Sequence, residues 1–253
     1  MASRGRLPDG ADLAAVGMAA GLVGIGVLSL VFRDFAEVWQ PAPKSFPAYA
    51  ASAMISGAVL VAAGGLMALG RTRAWGAGLA AAFLGLWVLG LHLPNALARP
   101  MAVGGWQAVC ESLAMTGGAF IAWGEARGRG ADRLARAAVP VMGVCFVVFG
   151  ASHFAYAKFT TAMVPAFLPF RPELTYLTGA IHALSGLAIL LGVRRRWAAS
   201  IEAAMMTSFV LLVHIPRVMA APHDRMELTS LAIATTLTSA VWILATARAA
   251  SRP

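Results

Sequence analysis

Apolar residues run through the chain in eight stretches, at 12–32, 49–70, 74–93, 105–124, 137–156, 174–193, 197–216 and 226–247, and the prolines and charges collect mainly in the short segments between them. A helix needs about 20 mostly apolar residues to cross the hydrocarbon layer of a bilayer. The opening MASRGRLPDG has two arginines but no apolar core of its own leading to a small-residue cleavage site, so 12–32 is expected to be a retained first span. The expected fold is all-α, with eight transmembrane helices.

The pattern repeats. LGLHLPNALARP (89–100) and LLVHIPRVMAAP (211–222) align without gaps, pairing Leu89 with Leu211, His92 with His214, Pro94 with Pro216, Ala98 with Ala220 and Pro100 with Pro222. At the same offset of 122, Arg73 falls on Arg195 and Trp75 on Trp197. This divides the chain into units at 11–125 and 134–249 of four spans each, arranged as two four-helix bundles and joined by a charged cytoplasmic linker at 126–133. An even number of spans per unit gives both copies the same orientation, a parallel tandem repeat about an axis along the membrane normal. Each unit carries a proline- and aromatic-rich segment after its first span, FAEVWQPAPKSFP (35–47) and KFTTAMVPAFLPFRP (158–172), expected to lie as a loop at the membrane interface.

Composition agrees with this reading and charge orients it. Of 253 residues, 59% are hydrophobic and 12% charged, about half the charge of an ordinary soluble domain. The 20 Lys and Arg against 11 Asp and Glu give a net charge of +9. Sorted by loop, 13 of the basic residues fall on the side of the two termini and 7 on the other. This bias places both termini in the cytoplasm and the chain in the cytoplasmic (inner) membrane. It accounts for the positive charge without a nucleic-acid partner. The partners expected are the lipid bilayer, other membrane redox subunits and further copies of the chain.

Ionisable groups inside a span are costly and mark functional candidates. On this topology His92, His153, His182, His214 and His223 all lie toward the outer side, with Glu111 in the same layer and Arg33, Asp34 and Glu37 near it. In the sixth span Thr175, Thr178, His182 and Ser185 follow helical spacing and form one polar stripe. His153, His182, His214, Thr178, Glu111 and His92 are therefore the candidate ligand-binding residues. Phe149, Phe154, Phe167 and Phe170 are candidate apolar walls. Thr207 and His214 sit two turns apart on one face of the seventh span. The His-x-Pro at 92 and 214 can equally cap and end a helix. Glu202 reads as a structural ion pair with Arg194–Arg196, and Gly17–Gly21 as a packing face. His223 reads as a solvated loop residue. Cys110 and Cys145 are placed roughly 10 Å apart in depth, too far for a disulfide. No metal-ligand cluster is expected, and no dinucleotide, phosphate-loop or nucleophile-elbow motif occurs.

The segment 150–199 resembles the DoxX/DoxD-like membrane protein family. The resemblance rests on Gly150, His153 and Phe154 as Gly-x-x-His-Phe, on Val164 to Pro169 as Val-Pro-Ala-Phe-Leu-Pro, on Tyr176 to Gly179 as Tyr-Leu-Thr-Gly, and on the small-residue helix and basic loop that follow. It implies a four-helix unit and a link to quinone-dependent respiratory oxidation, because DoxD and DoxX resemble subunits of thiosulfate:quinone oxidoreductase. The first half lacks the Gly-x-x-His, with Val31 at the equivalent position at offset 122. A quinone headgroup needs a hydrogen-bond partner at each carbonyl, a group that titrates near neutrality and an apolar slot. The expectation is thus a quinone or similar apolar molecule bound at an outer-side histidine pocket, placed in the second half. An accessory or assembly subunit without chemistry, and a small-molecule transporter, are the other readings.

Overall fold

A computed structural model describes residues 9–37, 39–128 and 133–247. The core of the linker, together with Arg4, Arg6, Arg129, Arg248 and Arg252, lies outside the described residues. The described chain is helical throughout: α1 (Gly10–Phe32), α2 (Tyr49–Ala68), α3 (Arg73–Ala98), α4 (Val103–Ala126), α5 (Arg133–Ala155), α6 (Arg171–Leu190), α7 (Arg195–Ala220) and α8 (Arg225–Thr246), with a short helix at Ala157–Met163. Seven of these, all but α4 and the short helix, are long and apolar enough to cross a membrane. Helix α4 has the length but carries Gln107, Glu111 and Glu125. Large apolar side chains stand exposed on the outer surface, among them Leu13, Ile55, Leu86, Leu89, Leu184 and Leu211, as lipid contact requires.

The helices close into a ring. Each packs on its neighbours in sequence, α8 returns to α1, and α4 and α8 meet across the middle. The ring is thereby pinched into two lobes, one walled by α1, α2 and α3 and the other by α5, α6 and α7, with α4 and α8 shared between them. The lobes therefore do not coincide with the two sequence units, because α1 leans on α8 from the opposite end of the chain. At the pinch, a Cβ added to Gly118 would stand 2.5 Å from the Cβ of Ala240, so only glycine permits the two backbones to approach there. Gly118 and Ala240 are 122 residues apart. The Gly17–Gly21 face packs as expected, against Ser239 and Thr236 of α8.

Other local events recur at the same interval. Ala48 and Phe170, both with left-handed backbone, precede α2 and α6. Arg73 Nε donates to the Met67 carbonyl and Arg195 Nε to that of Ile189. Helices α3 and α7 both widen into a π-helical turn, at Val88–His92 and Val210–His214, and then continue to Ala98 and Ala220. The helices do not end at His-x-Pro, and neither histidine is a terminal cap. Pro94 and Pro216 have no N–H and crowd the carbonyl four residues back, and the wider turn takes up that misfit without stopping the helix.

In the first helix of each half the register differs. Gly57 lies against the Gly26 carbonyl and Ser29 Cβ, while Gly179 lies against His153 Cβ and turns its own carbonyl onto Gly150. The position matching His153 is thus Ser29, and Val31 is not its partner. The intervening loops differ in length, which shifts the offset to 124.

Candidate functional site

The second lobe holds a buried polar cluster. His182 of α6 is 2% exposed and Glu202 of α7 fully buried, and His182 Nδ1 donates to Glu202 Oε1. Helix α6 enters and α7 leaves through a tight turn at 191–194, so residues equidistant from it stand at one depth. His182 and Glu202 are such a pair. Glu202 is therefore a site residue facing His182 and not an ion pair to Arg194–Arg196, since seven residues of helix carry it about 10 Å from the arginine turn.

His153 completes the cluster from α5. The close crossing of Gly150 and Gly179 lets α5 and α6 approach, and the His153 and His182 ring centroids come within 4.8 Å. His153 Nδ1 donates to the Phe149 carbonyl, 2.9 Å away. Both imidazoles therefore have Nδ1 occupied, which in the neutral ring leaves Nε2 as the acceptor nitrogen. Glu202 Oε2 is buried with no hydrogen-bond partner. Phe209 of α7 covers the pair, stacked on His153 at 6.3 Å and tilted on His182 at 6.0 Å, and Phe149 meets the edge of His182 at 5.7 Å.

The remaining candidates are dispersed. His214 is the last residue of the π turn, half-buried, with Nδ1 unpartnered. The extra residue of that turn spoils its alignment with Thr207, whose hydroxyl accepts from Trp242 Nε1. Thr178 bonds back to the Leu174 carbonyl of its own helix. Thr175 is buried against Thr161 of the short helix. Glu111 accepts from Gln107 on the same face of α4 and does not join the histidines. Of the four expected phenylalanine walls only Phe149 is buried. Phe154 stacks on Tyr176 at the surface, and Phe167 and Phe170 are exposed. His223 lies exposed in the loop before α8, as expected.

His92 lies in the first lobe, 2% exposed, with neither ring nitrogen bonded. Above it the 35–40 segment enters the lobe instead of lying at the interface. Phe35, Trp39 and Gln40 are buried. Trp39 sits 6.2 Å from the His92 ring and donates Nε1–H to Ser112 Oγ of α4. Gln40 Nε2 donates to Ser56 Oγ of α2, and its Oε1 accepts from the Ala36 amide. Outside, Asp34 binds Lys44, Tyr49 and Arg225. Burial alone would raise the Asp34 carboxyl, but hydrogen bonds from Tyr49, Lys44 and Arg225 hold it at about 2.

Cys110 and Cys145 are not separated in depth. The antiparallel pair α4 and α5, in register with Gly117 against Met142 and Ala138, brings the two thiols into interaction inside the core. Both are reduced. Among the described residues no group of His, Cys, Asp and Glu has the arrangement of a metal site.

Residues 142–248, covering the second lobe's α6, α7 and α8 and most of α5, match a family described as a domain of unknown function (DUF8561). No curated protein and no solved structure matches the chain.

Proposed function

We propose that the protein is an eight-span parallel tandem repeat of the cytoplasmic membrane, with both termini inside, and that its second lobe binds a quinone or quinol. The observation that carries this reading is the His182–Glu202 bond with His153 beside it. A quinol hydroxyl donates to an imidazole Nε2 and passes its proton there. Glu202 then stabilises the imidazolium through Nδ1–H, and its unpartnered Oε2 offers the next acceptor. The Phe209 and Phe149 rings supply the apolar wall. The resemblance to DoxX/DoxD-like proteins implies the same chemistry. Electrons go to a separate redox subunit, because the chain carries no cofactor motif.

The test is a titration of the detergent-solubilised chain with a soluble quinone analogue, comparing wild type with His182→Ala and Glu202→Gln. Loss of at least about tenfold in affinity in each variant is expected, the scale of one charge-assisted hydrogen bond. Identical affinity in wild type and His182→Ala overturns the assignment.

A specific observation also favours transport. The paired π turns at Val88–His92 and Val210–His214 interrupt the regular helix in both halves, and such interruptions mark substrate paths in transporters. Flux of a quinone analogue or proton into proteoliposomes separates carriage from binding.

A further inference from the structure

The two lobes offer the same architecture with one difference, namely what stands beside the π-turn histidine. In the first lobe the Trp39 indole lies against His92, and its N–H reaches Ser112 on α4. Around it Val88, His92, Ala96 and Ser112 are all buried. Their counterparts 122 residues on are Val210, His214, Val218 and Ala234, and every one is half-exposed. No residue of the 156–170 segment enters to cover them: Phe159, Phe167 and Phe170 remain exposed, and the short helix has no buried residue. The second lobe therefore leaves uncovered the positions that the indole covers in the first. His214 stands among them with Nδ1 buried and unpartnered, a polar group with bonding capacity to spare. Phe209, which covers His153 and His182, precedes the π turn that carries His214, so this uncovered face adjoins the histidine–glutamate cluster.

We infer that this uncovered face forms a groove that takes a planar, fused two-ring headgroup, in the place that the Trp39 indole holds beside His92. The inference rests on the quinone reading above and deepens it: the ligand is of naphthoquinone size and not a single benzoquinone ring. One ring edge faces His214 and the other points down toward His153. A single ring leaves part of the indole-sized space unfilled, and an unfilled apolar volume forfeits its dispersion contacts.

The experiment measures equilibrium binding of menadione (two rings) and duroquinone (one ring) to the full chain in detergent. Menadione is expected to bind one site and at least about tenfold more tightly, since the added ring buries several further carbons. His214→Ala is expected to remove that preference, and His92→Ala, beneath the indole, to leave it intact. Trp39→Ala empties the first lobe, which has Leu60 and Ala80 in place of His182 and Glu202, and is expected to leave the menadione stoichiometry at one. Should that variant not fold, Ala234→Trp fills the groove from α8 and is expected to abolish menadione binding. Equal affinity for the two quinones, a preference indifferent to His214→Ala, or undiminished binding in Ala234→Trp overturns the inference while leaving the quinone reading standing. Binding of neither quinone overturns both.

Discussion

The first lobe is filled by its own chain, and the second is left open with titratable groups in it. At matched positions the first lobe has Ser29, Leu60 and Ala80 where the second has His153, His182 and Glu202. The first lobe satisfies part of its polar groups with the plug, Trp39 serving Ser112 and Gln40 serving Ser56, and leaves Ser29 Oγ, Trp87 Nε1 and both His92 nitrogens without partners. The second pairs a carboxylate with an imidazole and leaves one carboxylate oxygen and one His214 nitrogen without partners. On the proposed reading, the difference divides one scaffold between stability and chemistry. A lobe that encloses its own side chains is a rigid wall, and it frees the other lobe to hold groups that are expensive to bury.

The strongest way to break this comparison is to remove the buried pair. His182→Ala leaves the Glu202 carboxylate unpaired in the core and is expected to cost roughly 3–5 kcal/mol of stability. The double variant H182L/E202A, which copies Leu60 and Ala80, is expected to recover most of that loss while abolishing ligand binding. Chemical unfolding in mixed micelles measures both, and a double variant no more stable than His182→Ala refutes the pairing. Next in size is the shared septum. Gly118→Ala forces α4 from α8 and is expected to cost about 1–3 kcal/mol. Gly65→Ala, on a surface with nothing within 4 Å, is expected to be neutral or to stabilise by up to about 1 kcal/mol. Thermal unfolding of the two side by side separates septum packing from general intolerance of a methyl group.

A finer change, Trp39→Phe, keeps most of the plug's bulk but removes the donor to Ser112, at an expected cost of about 0.5–1.5 kcal/mol in the same unfolding measurement. The smallest effect is that of acid on the plug's latch. Because the folded Asp34 carboxyl is held at about 2, below its ordinary 3.8, its stabilisation is fully present above pH 4 and is lost as pH falls toward 2. Trp39 fluorescence quenching by acrylamide, in a variant with the other tryptophans replaced, is expected to be flat from pH 8 to 5 and to rise only below about pH 4, by the same linkage. A rise near pH 6 contradicts the latch.

The long apolar helices, and the segment that recurs at 89–100 and 211–222, were legible because both are written in local pattern. A run of apolar residues needs no partner to be recognised, and LGLHLPNALARP repeats itself in sequence. His153 and His182 were legible as costly groups inside spans. Glu202 was misread because a charge near an arginine cluster in sequence suggests a pair, whereas helix rise carries it to the level of His182. Its signal was symmetry about the 191–194 turn. Cys110 and Cys145 were misjudged for a related reason: depth counted separately on two helices takes no account of the register that Gly117 imposes on α4 and α5. The Trp39 plug carried no signal at all. FAEVWQPAPKSFP and KFTTAMVPAFLPFRP look alike as loops, and only the packed lobes show that the first goes inward. The shift from Val31 to Ser29 was hidden in the unequal lengths of those loops.

The seam between α1 and α8 has a consequence for how the protein comes into being. Helix α1 has α2 beside it soon after it is made and must wait for α8 to be synthesised before gaining its other neighbour. Until then its glycine face, which finally meets Ser239 and Thr236, has only lipid or insertion machinery to rest on. The first lobe, plug included, is thus completed after the second lobe's walls already exist. In the order of time, the lobe whose walls are made first stays open until α8 is in place, and both lobes then close together.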